Sequence, residues 1–89
     1  MKRFILYFNQ DREKENKQMT FDNKKLGQIR RKRGLSVNAA FKRLYDHGLD
    51  ISRPTLINWE EGKTEPDASA LFILADFYHV DPSFFLRKN

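Results

Sequence analysis

The sequence predicts an all-α protein, a compact bundle of about five short helices, and three observations predict it. Serine or aspartate recurs where a helix could begin, apolar residues then return at helical spacing, and glycine closes several of the segments. At 89 residues the chain has room for one hydrophobic core and not for two. It has no cysteine, so neither disulfides nor thiolate metal sites enter the reading, and a reducing cytoplasm is the expected location. With 17 Lys and Arg against 12 Asp and Glu, the net charge of +5 directs attention to a polyanionic partner.

The chain starts MKRFILYFNQ. Its apolar run, Phe4 to Phe8, is too short to span a bilayer and lacks a small-residue cleavage site, so neither a membrane span nor a signal peptide is expected. Alternating β-branched and aromatic residues make it a candidate short β-strand that needs a partner. Asn9 to Lys17 reads as a polar linker. Residues 1–18 then form an N-terminal extension, or a stretch without structural importance upstream of Met19, and residues 19–89 form the domain.

Asp22 is placed to cap a first helix that carries Leu26 and Ile29 on one face and the basic run Arg30 to Arg33 at its end, with Gly34 as its stop. Ser36 caps a second, in which Val37, Ala40, Phe41 and Leu44 recur at i, i+3, i+4 and i+7 before Gly48. Ser52 caps a third, which tolerates Pro54 in its first turn and stops at Gly62. Asp67 caps a fourth, with Ala68, Leu71, Leu74, Ala75 and Tyr78 on one stripe. Asp81-Pro82 opens a last short turn, Ser83 to Leu86, after which Arg87, Lys88 and Asn89 are expected to trail into solvent. No internal strand is expected within 19–89.

The third helix, about residues 53–61, carries the chemistry. At 100° per residue Leu56 and Trp59 fall together and point inward, leaving Arg53, Pro54, Ile57, Asn58 and Glu61 on the remaining surface. A guanidinium, a carboxamide and a branched apolar side chain near a helix start are suited to base edges: Arg to guanine O6 and N7, Asn to adenine N6 and N7, Ile to a thymine methyl. The dipole and free N–H groups there also suit phosphate. The plainer alternative is a surface helix with arbitrary polar residues.

LGQIRRKRGLS, a helix, SRPTLINWEEGKTEPD and then LFILADFYHVDPSFFL together resemble the helix-turn-helix family of phage Cro and lambda-type repressors, which includes xenobiotic-response-element-type regulators. The resemblance covers roughly residues 22–86 and is most specific over Ser52-Arg53-x-Thr55-Leu56-x-x-Trp59-Glu60-x-Gly62-Lys63-x-x-Pro66. It implies that the second and third helices form the motif and that the third enters the major groove. Ser52, Arg53, Pro54 and Thr55 then match the groove-facing start of the recognition helix, Asn58 a base-contacting position one turn later, and Lys63 a loop residue near phosphate. Glu60 matches an acid that pairs with a basic residue of the first helix, here Arg30. The sequence departs from the family twice: Val37 stands where a phosphate-touching Gln is usual, with Asn38 beside it, and the interval from Ser36 to Ser52 is about five residues longer.

The resulting expectation is a DNA-binding transcriptional regulator, a repressor acting without chemistry. Arg53, Pro54, Ile57 and Asn58 are the candidate base contacts, and Asn38, Arg43, Ser52, Thr55 and Lys63 the candidate phosphate contacts. Arg30, Glu60 and Trp59 are structural. Lys24, Lys25, Arg31, Lys32, Arg33 and Lys42 add positive charge. Asp76-x-x-His79 supplies at most two metal ligands, and His47 and His79 sit where helices end; no catalytic arrangement, metal or cofactor is expected. The apolar residues Phe72, Ile73, Phe77, Phe84 and Phe85 exceed what one core stripe needs. They point to a homodimer through Ile73, Phe77, Phe84 and Phe85 or through the N-terminal segment, or to the binding of another protein, as antitoxins of this fold do.

Overall fold

The computed structural model describes residues 19–88. The elements are β1 (Met19–Phe21), α1 (Asn23–Lys32), α2 (Val37–Asp46), α3 (Arg53–Glu61), α4 (Ala68–Tyr78), a 3₁₀ turn (Pro82–Phe85) and β2 (Leu86–Lys88). The strand expected at Phe4 to Phe8 and the linker from Asn9 to Lys17 lie outside the described residues.

Three of the helix starts are made by local hydrogen bonds. Ser36 Oγ accepts from the Ala39 N–H at 3.0 Å, Ser52 Oγ from Thr55 at 3.2 Å, and Asp67 Oδ1 from Ala70 at 2.8 Å. Each satisfies one of the orphan donors of a first helical turn. Asp81 does the same for the 3₁₀ turn, accepting from Ser83 N–H at 2.9 Å. Asp22 differs from expectation: its backbone has the extended N-cap geometry, but its carboxylate makes no capping bond and lies 3.6 Å from the Arg87 guanidinium. At the other end of α4, His79 adopts the left-handed conformation at φ 58°, ending the helix where a glycine would otherwise be usual.

The expectation of no internal strand, with Arg87 and Lys88 free in solvent, is overturned. β1 and β2 pair antiparallel, with Met19 opposite Lys88, Thr20 opposite Arg87 and Phe21 opposite Leu86. The Asp22 N–H extends the pairing to the Phe85 carbonyl at 2.7 Å. Strands of three residues show no usable alternation, so periodicity had nothing to report. What fixes them is the core next to them: Phe21 and Phe85 are both buried.

That core is one cluster drawn from every helix: Leu26 and Ile29 from α1, Ala40 and Leu44 from α2, Leu56 and Trp59 from α3, Ala70, Leu74, Ala75 and Tyr78 from α4, with Leu49, Phe21 and Phe85 closing it. On α4 the expected stripe is shifted at its start, because Ala68 is exposed and Ala70 is buried. The helix is apolar on nearly every side, so spacing alone does not select its buried face. Phe85 is 0% exposed, which removes it from any subunit interface of the folded protein. Phe85→Ala is expected to lower stability by about 3–5 kcal/mol, read as a shift of the urea unfolding midpoint; a midpoint within error of the parent protein is incompatible with this packing.

Candidate nucleic-acid interface

The placement of α3 begins with Glu60. Arg30, from α1, donates Nε to Glu60 Oε2 at 2.8 Å and Nη2 to Oε1 at 2.9 Å, while its Nη1 donates to the Leu35 carbonyl at 2.9 Å. Both charged side chains are only 11% exposed, so the fork-on-fork geometry and the extra carbonyl offset much of the desolvation that burial imposes. The hydrogen bond to Glu60 is the main reason the Arg30 pKa lies above its ordinary value. Asn23 Nδ2 donates to the Glu60 backbone carbonyl at 2.7 Å, a second tie between the same two helices. Gly27 lets them approach: a Cβ there would stand 3.2 Å from Glu60 Oε1 and 3.1 Å from Arg31 Nη1. Gly62 ends α3 at φ 79°, where a Cβ would meet the Asn23 side chain at 3.1 Å.

Between α2 and α3 run residues 47–52, a connection longer than a three-residue turn. Leu49 is buried, its N–H donates to the Leu44 carbonyl at 2.8 Å, and Ile51 packs against the core. His47 Nε2 and Asp76 Oδ2 are 2.7 Å apart, and the His47 ring meets Phe77 edge-on at 5.4 Å. Asp76 thus pairs with His47 on another element, not with His79 three residues on, and His47 serves as a brace between α2 and α4. Among the described residues no three His, Cys, Asp or Glu side chains gather as a metal site would need.

At the start of α3, Ser52 and Thr55 bond to each other through their hydroxyls at 2.8 Å, so both candidate phosphate contacts are also parts of the cap. Arg53 and Pro54 are exposed; Ile57 and Asn58, one turn on, are half-buried. Arg53 Nε donates to Asn38 Oδ1 at 2.6 Å, which brings the first turns of α2 and α3 together. Nothing local signals this contact, since the two residues are 15 positions apart. Arg43 is exposed but sits in the last turn of α2, about 140° around the helix from Asn38, and does not join the pair. Lys63 lies past the far end of α3, with its ammonium 3.0 Å from Glu61 Oε1. Such an exposed pair holds weakly and leaves the cation available.

The positive charge near α1 is partly spent inside the fold. Arg33 Nη2 donates to the Tyr78 carbonyl at 2.8 Å, where a cation complements the C-terminus of α4, and Lys25 lies 5.1 Å from the Phe84 ring centre. Together with Arg30 these cations make contacts within the fold, although Arg33 is itself exposed, as are Lys24, Arg31, Lys32 and Lys42.

Two helices joined by a turn, the second clamped at its back end and open at its front, define a helix-turn-helix, a DNA-binding class of domain. The helix-turn-helix family model matches residues 26–85. The chain belongs to that family, in its Cro/C1-type form. No curated protein and no solved structure shows significant similarity to it. No helix among the described residues is long and apolar enough to cross a membrane.

Removing the Glu60 carboxylate strands Arg30 in a largely buried position, so Glu60→Ala is expected to cost about 3 kcal/mol and to loosen α3, measurable by urea titration and by faster amide exchange in residues 53–61. A second expectation concerns Tyr78, whose buried hydroxyl has no hydrogen-bond partner among the described residues. Burial, and then the Glu60 carboxylate, push its pKa up to about 12 against the attraction of Arg30 and Arg33. Below pH 10 the phenol is neutral folded or unfolded. Between pH 10 and about 12 only the unfolded chain ionises it, so stability falls as pH rises across that window. Tyr78→Phe should therefore be as stable as the parent protein or more so at pH 7, and its advantage should widen toward pH 12; parallel stability–pH curves for the two proteins would refute this.

Proposed function

We propose that the protein is a transcriptional repressor that binds specific double-stranded DNA and acts by occupying its operator, with α3 in the major groove and no catalytic step. The observation that supports the reading is the exposed front of α3, where Arg53, bonded to Asn38 of α2, and Pro54 face outward while the back of the same helix is clamped to α1. Arg53, Pro54, Ile57 and Asn58 address base edges, and Asn38, Ser52, Thr55, Lys63 and Arg43 address phosphates. The protein works in the cytoplasm as a homodimer, matching two half-sites about one DNA turn apart.

The dimer face proposed is the apolar surface of α4 and the 3₁₀ turn after it, or the N-terminal segment: Phe72 is 61% exposed, and Ile73, Phe77 and Phe84 are only partly covered. This apolar surface also supports a second reading, in which the same face takes a different protein, as in an antitoxin, and DNA binding is secondary. Sedimentation of the isolated protein separates the two: a dimer that Phe72→Glu converts to monomer supports the first, and a monomer at high concentration the second.

DNA binding is tested by selection from random duplexes followed by titration. Arg53→Ala and Asn58→Ala are each expected to weaken binding to the selected site by about 1–3 kcal/mol with a smaller effect on non-specific affinity, and Lys63→Ala to lower affinity for all sequences and reduce the salt slope by about one. Selected-site affinities unchanged by both Arg53→Ala and Asn58→Ala would rule out this recognition surface.

A further inference from the structure

A groove of about 360 Å³ lies between the second half of α2 and the connection to α3. Phe41 and Ile51, half-buried against the core, give it an apolar lining, and Tyr45 stands beside them 60% exposed. Asp46, Asp50 and Lys42, all exposed, complete it with two carboxylates against one ammonium. Neither carboxylate makes an ion pair or a side-chain hydrogen bond among the described residues. Asp46 is also the last residue of α2, where a negative charge meets the negative end of the helix dipole. Unpaired carboxylates at such a place, next to an exposed aromatic ring, suit a cation, and the apolar lining suits hydrophobic side chains directly beside it.

We propose that the N-terminal segment of the same chain occupies this groove, with Lys2 and Arg3 against Asp46 and Asp50 and the run from Phe4 to Phe8 over Phe41, Tyr45 and Ile51. Those N-terminal residues lie outside the described ones; two cations followed directly by five apolar side chains match the groove's combination of unpaired acid and apolar surface. Ten residues separate Phe8 from Met19. Extended, they reach about 35 Å, and a domain of this size is about 28 Å across, so most of its surface is within reach of the segment. The apolar face of α4 is the rival seat, but the acids near it are engaged, Asp76 with His47 and Asp81 with Ser83. Seated in the groove, the segment shields Tyr45, offsets the charge at the C-terminus of α2 and straps the connection that leads into α3.

The chain has no cysteine, so an introduced pair in the full chain reports on a single contact. Phe4→Cys with Lys42→Cys leaves both carboxylates in place. It is expected to form a disulfide within one chain about tenfold faster than Phe4→Cys with Glu65→Cys, because docking raises the effective concentration of one thiol beside the other. Glu65 is exposed and lies past the end of α3, away from the groove. Adding Lys2→Glu and Arg3→Glu to the first pair should bring its rate down to that of the control, and adding Asp46→Lys and Asp50→Lys as well should restore it. Thermal melting confirms that each variant folds, and non-reducing electrophoresis separates bonds within one chain from bonds between two. Equal rates for the two pairs, or a rate indifferent to the charge reversals, overturn the inference. A disulfide that joins two chains overturns it as well, assigning the segment to a second copy. None of these outcomes bears on DNA binding, which Arg53→Ala and Asn58→Ala test separately.

Discussion

The rest of the structure depends on the bidentate bond between Arg30 and Glu60. Glu60 is the penultimate residue of α3, so the clamp grips the helix at its back and leaves its first turn unobstructed. The same guanidinium holds the Leu35 carbonyl, one residue before the Ser36 cap of α2. One side chain of α1 therefore sets the direction of α3 and the starting point of α2. A pair this deeply placed contributes little net stability compared with well-packed apolar residues, because desolvation offsets most of the Coulomb attraction. What it supplies is orientation: two planar groups joined by two parallel bonds tolerate little rotation.

The same reasoning changes what the net charge means. A count of basic residues treats every cation near α1 as available to a polyanion, yet Arg30 neutralises Glu60, Arg33 caps the end of α4 and Lys25 lies over Phe84. These three hold the helices that carry the motif. Of the three, Arg30 is the one whose charge is matched by a buried carboxylate, so a count of basic residues overstates the charge left unpaired by that one.

How much was legible in the sequence follows the range of each interaction. Ser36, Ser52 and Asp67 were readable as caps because the bonds they make reach three residues along the chain. Asp22 holds the expected N-cap position without a capping bond, and its carboxylate lies instead toward Arg87, which comes beside it only when β1 and β2 pair. Those strands were invisible for the same reason, being three residues each and held by burial of Phe21 and Phe85. Leu56 and Trp59 followed from helical angle alone. The pairing of Arg30 with Glu60 came from the family resemblance, since no local rule couples residues 30 positions apart. Asn38 with Arg53 and His47 with Asp76 had neither a local rule nor a family pattern to indicate them.

The connection between α2 and α3 runs over residues 47–52, and its construction shows why these residues do not loosen the motif. Added loop length costs little in itself, rising only with the logarithm of the number of residues. The danger lies in the freedom it gives to α3. Here that freedom is limited at two points in the core, where Leu49 is buried and Ile51 lies against it, while the exposed contact of His47 with Asp76 of α4 adds a weaker tie. With its approach fixed by the connection and its far end fixed by Glu60, α3 is held at both ends. The side chains of its first turn are then the remaining variable, and Asn38 constrains the one among them that carries charge.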